Sequence, residues 1–225
     1  MTGNSKEVES DQSSIHKDLE KLVLRYLETE YMRPIAEHTQ KAFENAAEFI
    51  SHWNTSIVLD SGCGTGDSTL ILSQKFPESP VIGIDKSEVR LAKVSKKNAE
   101  LPENVFFVRA ELLDFWRLAF NAKWSIKFHA LYYPNPWPKS SELRYRFHAQ
   151  PIFPLFLKLS PALEMRTNWK IYAEEFAFAA KIVFSRLGIN AKVKLDEFIP
   201  LKTETTFEKK FVESGHKLWK VCASF

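Results

Sequence analysis

The sequence predicts an α/β fold: a mostly parallel sheet with crossover helices on both faces. Two observations carry that expectation. From Ile57 onward, short apolar runs rich in β-branched residues alternate with stretches of helical periodicity, the pattern of parallel strands joined by crossovers. The first of these runs opens into Asp60-Ser61-Gly62-Cys63-Gly64-Thr65-Gly66-Asp67, with three glycines at every second position, after which the spacing turns helical. Glycine is needed where backbone turns sharply, takes positive φ or comes close to a ligand. At 225 residues, 44% apolar and 26% charged, the chain is long enough for one substantial domain with a good core. That domain is read as residues 15–225, with helices over 15–53 as an N-terminal extension and residues 1–14 as a disordered tail.

The tail is polar and poor in apolar residues. Ile15, Leu19, Leu22, Val23, Tyr26 and Leu27 recur at helical spacing and predict an amphipathic helix over 15–32, ended by Pro34. A second helix, 36–53, carries Ala42, Phe43, Ala46, Phe49 and Ile50 on one face and delivers the chain into the strand at Ile57. The first crossover helix spans 68–76, with Asp67 or Ser68 able to cap it. Strand two is Val81-Ile82-Gly83-Ile84-Asp85, and Ser87 caps a helix from Glu88 to about Ala99. Strand three is 104–108 and strand four lies within 126–132. A helix that begins near Pro151 covers 155–159, and strand five is 163–166. Phe176, Ala180, Val183, Phe184 and Leu187 face inward from a helix over 172–187, with Gly188 as its C′ residue. The last strands, 191–198 and 217–225, read as an antiparallel pair.

Composition narrows the partners. A net charge of +3 is too mild to establish nucleic-acid binding, though it permits a local basic face. No apolar run approaches membrane-spanning length and the N-terminus is polar, so neither a membrane span nor a signal peptide is expected. The two cysteines, Cys63 and Cys222, have no ligand partners at metal spacing and suggest a reducing, cytoplasmic setting. No metal is expected, and a monomer is.

The glycine turn has a ligand to choose. A phosphate loop would need Gly-Lys-Ser/Thr, which is absent, and the dinucleotide fingerprint wants its third glycine where Asp67 stands. Asp-x-Gly-x-Gly-x-Gly resembles motif I of class I S-adenosylmethionine-dependent methyltransferases. That cofactor has no phosphate, but its sulfonium and ammonium suit Asp60. Asp85 ends the second strand about 20 residues beyond the turn, where an acid holds ribose hydroxyls.

A second constellation, Pro134-Asn135-Pro136-Trp137-Pro138-Lys139, follows strand four. Its three prolines make a stiff, non-helical loop, at the sheet edge where ligands of open α/β sheets bind. Such a loop can fix a planar base through the Asn135 amide and the Trp137 indole, and a phosphate through Lys139. Together with motif I, with residues 144–153, with Arg166-Thr167-Asn168-Trp169 and with Thr205-Thr206-Phe207-Glu208, this loop resembles the bacterial tRNA (guanine-N7)-methyltransferase family over about 56–225.

The resemblance implies a Rossmann-like, seven-stranded class I methyltransferase fold, S-adenosylmethionine as cofactor and tRNA as substrate. It implies cofactor contacts at Asp60, Gly62, Gly64, Gly66, Asp85 and Glu111. Asn135 stands where the family has an aspartate, and it is placed against both cofactor and reacting base as the catalytic position. Substrate contacts are implied at Trp137, Lys139, Arg144, Arg146, Asn168, Thr205, Phe207 and Glu208. The sequence departs from the family at Asn135 and Asn168, both usually aspartate. The family's arginine-rich arm is reduced here to Arg25 and Arg33. Guanine N7 already carries an in-plane lone pair, so the expected catalysis is alignment and charge stabilisation, without a strong general base. Two other readings stand beside it: methylation of an exocyclic amine, since Asn135-Pro136-Trp137 partly resembles the Asn-Pro-Pro-aromatic loop of amino-methyltransferases, and a non-catalytic protein that binds tRNA or adenosylmethionine.

Overall fold

Strand β1 (Ile57–Ser61) is buried along its whole length, and a strand buried on both faces must be central and parallel to its neighbours. It pairs in parallel with β2 (Val81–Asp85) on one side and β4 (Ile126–Tyr132) on the other. Outward from these lie β3 (Val105–Arg109) and β5 (Ala162–Thr167), also parallel, and then β7 (Leu218–Ser224) and β6 (Lys192–Phe198), antiparallel. The order of the seven-stranded sheet is β3-β2-β1-β4-β5-β7-β6. This is the mostly parallel sheet with an antiparallel C-terminal pair that the sequence predicts. The computed structural model describes residues 3–98 and 100–225.

The helices are α1 (Leu19–Leu27), α2 (Glu37–Ser51), α3 (Asp67–Lys75), α4 (Glu88–Lys97), α5 (Leu112–Asn121), α6 (Phe153–Lys158), α7 (Lys170–Arg186) and α8 (Thr206–Glu213). Strand alternation divides the core. Ile57, Leu59, Ile82 and Ile84 face the larger side with Phe115, Trp116, Phe156 and Phe176. Val58, Val81, Ala130 and Tyr132 face a smaller cluster with Leu72 of α3. The expected end of α4 near Ala99 falls outside the described residues.

Four stretches differ from the sequence reading. The helix expected over 15–32 is the shorter α1. Its lead-in is a turn because the His16 N–H donates to Glu175 Oε1 (2.9 Å) instead of entering a helical ladder. Residues 112–121 form α5, whose Phe115, Trp116 and Ala119 are buried. Residues 206–213 form α8, with Thr205 as its N-cap. Residues 3–14, expected as a disordered tail, carry no helix or strand, yet side-chain hydrogen bonds pin them to the body. Ser10 Oγ donates to the Pro138 carbonyl (2.6 Å), and both N–H and Oγ–H of Ser140 donate to Asp11 (2.7 and 2.8 Å).

Candidate active site

The strand order reverses between β1 and β4, and ligands of open α/β sheets lie in the crevice at that point, outside the carboxyl ends of the strands. Asp60, in β1, is 1% exposed. Its Oδ2 accepts from Ser68 Oγ and Thr69 Oγ1, both at 2.6 Å, while its buried Oδ1 has no partner among the described residues. Burial pushes the carboxyl up to about 6, against those two hydrogen bonds. A desolvated carboxylate with one oxygen to spare is a place for a cation that also donates hydrogen bonds.

The turn above it is open where it should be. Gly62 and Gly64 sit at φ +78° and +59°, and a Cβ on either would meet nothing within 4 Å. Gly66, at φ +81°, differs: a Cβ there would stand 2.8 Å from Phe107 and 2.9 Å from Val94. It lets the turn settle on β3 and α4, and it takes the N-cap position of α3 where Asp67 or Ser68 was expected to cap. Asp85 Oδ2 accepts from the Gly64 N–H (3.0 Å) and Oδ1 from the Ser87 N–H (2.8 Å), so the acid that ends β2 fixes the shape of the turn. Arg90 lies 3.3 Å from the same carboxylate. Glu111 is the N-cap residue of α5, and its N–H donates to Thr39 Oγ1. Asp114, in the first turn of α5, is buried and accepts from the Ala36 N–H (3.0 Å), which commits it to α2.

Beyond β4, the chain enters the proline loop. Tyr133 and Trp137, at φ +52° and +48°, are non-glycine residues in the left-handed region, each worth on the order of 1–3 kcal/mol of strain. Their surroundings impose it. The Tyr133 N–H donates to the Arg166 carbonyl (2.8 Å) and its hydroxyl to Glu208 Oε1 (2.7 Å). Arg146 donates from Nε to the Trp137 carbonyl (3.0 Å) and from Nη2 to the Lys139 carbonyl (3.2 Å). The loop is therefore held at both ends, with Asn135 exposed between them and Lys139 exposed after it. Arg144 is likewise exposed, on the 3-10 turn Ser140–Tyr145.

Several residues expected to touch substrate are engaged elsewhere. Arg146 is fully buried. Its Nη1 lies 2.6 Å from Glu175 Oε2, and His148 Nε2 donates to the same oxygen (2.9 Å). Its guanidinium clamps the loop to α7 and cannot reach a phosphate as arranged. Burial works against the charge of Glu175, but His148 and Arg146 outweigh it and hold the carboxyl down at about 2. Burial keeps His148 neutral. Glu208 is also fully buried, with Arg166 Nη1 at 3.0 Å. Its N–H donates to Thr205 Oγ1 (2.9 Å), so this pair caps α8 and docks it on β5. Glu208 is thus turned inward onto Arg166, a guanidinium it shares with Glu164 and Glu204. Asn168 Nδ2 donates to His216 Nδ1 (3.1 Å), which leaves its amide oxygen for a ligand. Phe207 is exposed on α8. Sequence reasoning missed Glu175, Gln12 and Tyr145. A buried acid in a helix has no periodic signature, and Tyr145 lies in an irregular turn.

What this crevice suits is a ligand that brings a cation to Asp60, hydroxyls to the Asp85 side and no phosphate to the glycine turn. S-adenosylmethionine answers that description, and the architecture is that of the class I methyltransferases that use it.

The sequence pattern of the Methyltransf_4 methyltransferase family matches residues 54–221. The chain is 25% identical over 171 residues to a tRNA (guanine-N(7)-)-methyltransferase of Leifsonia xyli, covering 72% of each chain. It is also 25% identical over 175 residues to one of Mycoplasmopsis pulmonis, covering 74% of this chain and 83% of that one. It matches a trans-aconitate 2-methyltransferase of Acidovorax sp. at 40% over 84 residues, which is 37% of this chain. The chain spans only about a third of that relative's length, 31%. Among solved structures, the 16S rRNA methyltransferase KamB superposes with a TM-score of 0.54 at 14% identity, over 93% of this chain and 96% of that one. The chain belongs to the Methyltransf_4 family of methyltransferases.

Proposed function

We propose that the protein transfers a methyl group from S-adenosylmethionine to N7 of a guanine in tRNA. The observation that carries this reading is the placement of the glycine turn and the proline loop at the carboxyl ends of neighbouring strands, with Asp60 of β1 in register with Ala130 of β4. The tRNA-modifying relatives support the choice of substrate. When bound, S-adenosylmethionine supplies an activated methyl on a sulfonium sulfur. The protein's part is to bind and align. Asp60 takes the ammonium, and Asp85 takes the ribose with Glu111 near the adenine. Asn135 and the free amide oxygen of Asn168 orient the guanine edge, and Trp137 forms a wall beside it. Lys139 and Arg144 meet phosphates. Thr205 and Glu208 act through α8, which presents Phe207. The N7 lone pair needs no proton removed, so alignment is the main catalytic contribution.

One observation favours a second reading. Asn135 is neutral, and Glu208, the acid of α8, is fully buried against Arg166, which it shares with Glu164 and Glu204, so neither residue offers an exposed carboxylate to a purine that becomes cationic. An exocyclic amine, held by Asn135 and the carbonyl of Pro136, would suit that environment. The test is incubation of tRNA with cofactor carrying a deuterated methyl, followed by mass spectrometry of the nucleosides. Label in 7-methylguanosine supports the first reading, and label on an amino nitrogen supports the second. Stoichiometric cofactor binding with no labelled product points to a non-catalytic binder.

A further inference from the structure

A groove of about 840 Å³ runs between α1 and the 3-10 turn that follows the proline loop. Lys21, Leu22 and Arg25 line one wall, and Ser141, Arg144 and Tyr145 the other. Lys21 and Arg25 are one helical turn apart and exposed, as is Arg144. None of the three has a carboxylate within 4 Å among the described residues; Arg25 donates only to the Tyr26 hydroxyl (3.0 Å). Asp18 is the single acid on the lining. Cations converging on one groove focus a positive potential there and raise the local concentration of anions. The groove is also continuous with the candidate active site. Tyr145 is 59% exposed, and its ring lies against Trp137 with centroids 4.9 Å apart at 42°. A large aromatic ring left exposed beside cations matches the stacking platforms that hold unpaired bases.

We infer that this groove carries the ribose–phosphate strand next to the target nucleotide, with Lys21, Arg25 and Arg144 on phosphates and Tyr145 stacked on the neighbouring base. The inference rests on the tRNA reading above and extends it to α1, which has no other contact with the crevice chemistry. The strand approaches along α1, passes Tyr145 and presents the next base to Trp137 and Asn135. A duplex offers no free base face, so the segment bound here is single-stranded or looped.

The test is binding of fluorescent tRNA against salt, for the wild type and for the Lys21→Ala/Arg25→Ala double variant. Calorimetric binding of adenosylhomocysteine serves as the control for folding. Two lost contacts to a single strand should reduce the slope of log K against log salt by roughly 1.4, at about 0.7 each. Tyr145→Ala should raise the Kd for tRNA on the order of tenfold, and Tyr145→Phe, which keeps the stacking face, should stay near wild type. A double variant that keeps cofactor binding and the wild-type salt slope overturns the groove assignment, as does a Tyr145→Ala protein that binds tRNA like the wild type. A wild-type protein that binds cofactor but no RNA overturns the tRNA reading together with it.

Discussion

Arg146 and Glu175 form a fully buried ion pair, 2.6 Å from Nη1 to Oε2, and through it α7 holds the proline loop. The other guanidinium nitrogens grip the Trp137 and Lys139 carbonyls. Gln12 and His16 bring the N-terminal segment to the same carboxylate. The left-handed backbone at Trp137 is sustained by this clamp. Glu175→Gln leaves Arg146 as a buried charge without its partner, and should cost about 3–5 kcal/mol of stability, read from urea unfolding. Because the folded pKa of Glu175 is depressed from 4.5 to about 2, its contribution is complete above the unfolded value and is lost as pH falls through about 2. The variant should therefore narrow its stability gap to the wild type as pH falls through that range.

The N-terminal segment should order the loop it touches. Deleting residues 1–12 removes the bonds from Ser10 to Pro138, from Ser140 to Asp11 and from Gln12 to Glu175. Amide exchange in 137–145 should quicken in the truncated protein while β1 and β4 keep their protection. Unchanged exchange in 137–145 would show that the segment does not support the loop.

Cofactor affinity should follow the ionisation of Asp60. The ammonium is attracted by the carboxylate, whose pKa in the free protein is about 6. The affinity for adenosylhomocysteine should therefore be level above that pH and fall about tenfold per unit below it. The same raised pKa means that the free protein loses stability as pH rises from the unfolded value of 3.8 to about 6, because ionisation of the buried group is disfavoured. Calorimetry at pH 5, 6 and 7.5 measures the first effect. Asp60→Asn should flatten the profile at an affinity weaker by roughly 1.5–3 kcal/mol.

The two asparagines set the charge of the base pocket. Charge-assisted hydrogen bonds are roughly twice as strong as neutral ones, so Asn135→Asp with Asn168→Asp should raise 7-methylguanosine formation if N7 is the target. Loss of activity in that double variant, with methyl on an amino nitrogen in the wild type, would favour the second reading.

Much of this was legible because it is local. Asp60, the three glycines and Asp85 follow one another at fixed spacing, and the apolar runs around them define β1 and β2. The proline loop announces its stiffness in its composition. What stayed hidden depends on distant partners. Arg146 and Glu208, implied as substrate contacts by the resemblance, are instead turned inward by residues of other elements, Glu175 and Arg166. The helix α8 had a signal, Thr205-x-x-Glu208, in which the threonine accepts the N3 amide as in a capping box. The helix α5 had one as well, in its run of large apolar residues. The residues 3–14 looked like a free tail because they are attached by scattered backbone and side-chain hydrogen bonds and the lone apolar contact of Val8, which no hydrophobic period reveals.

In the proposed reaction the methyl group goes to N7 of a tRNA guanine. It is tested most directly with two synthetic tRNAs that differ only in the target nucleotide, one with guanine and one with 7-deazaguanine, which has a C–H in place of N7. With labelled cofactor in excess, transfer to N7 gives incorporation into the guanine tRNA and none at that nucleotide in the deaza tRNA, with both tRNAs bound equally well. Equal incorporation into both would contradict it.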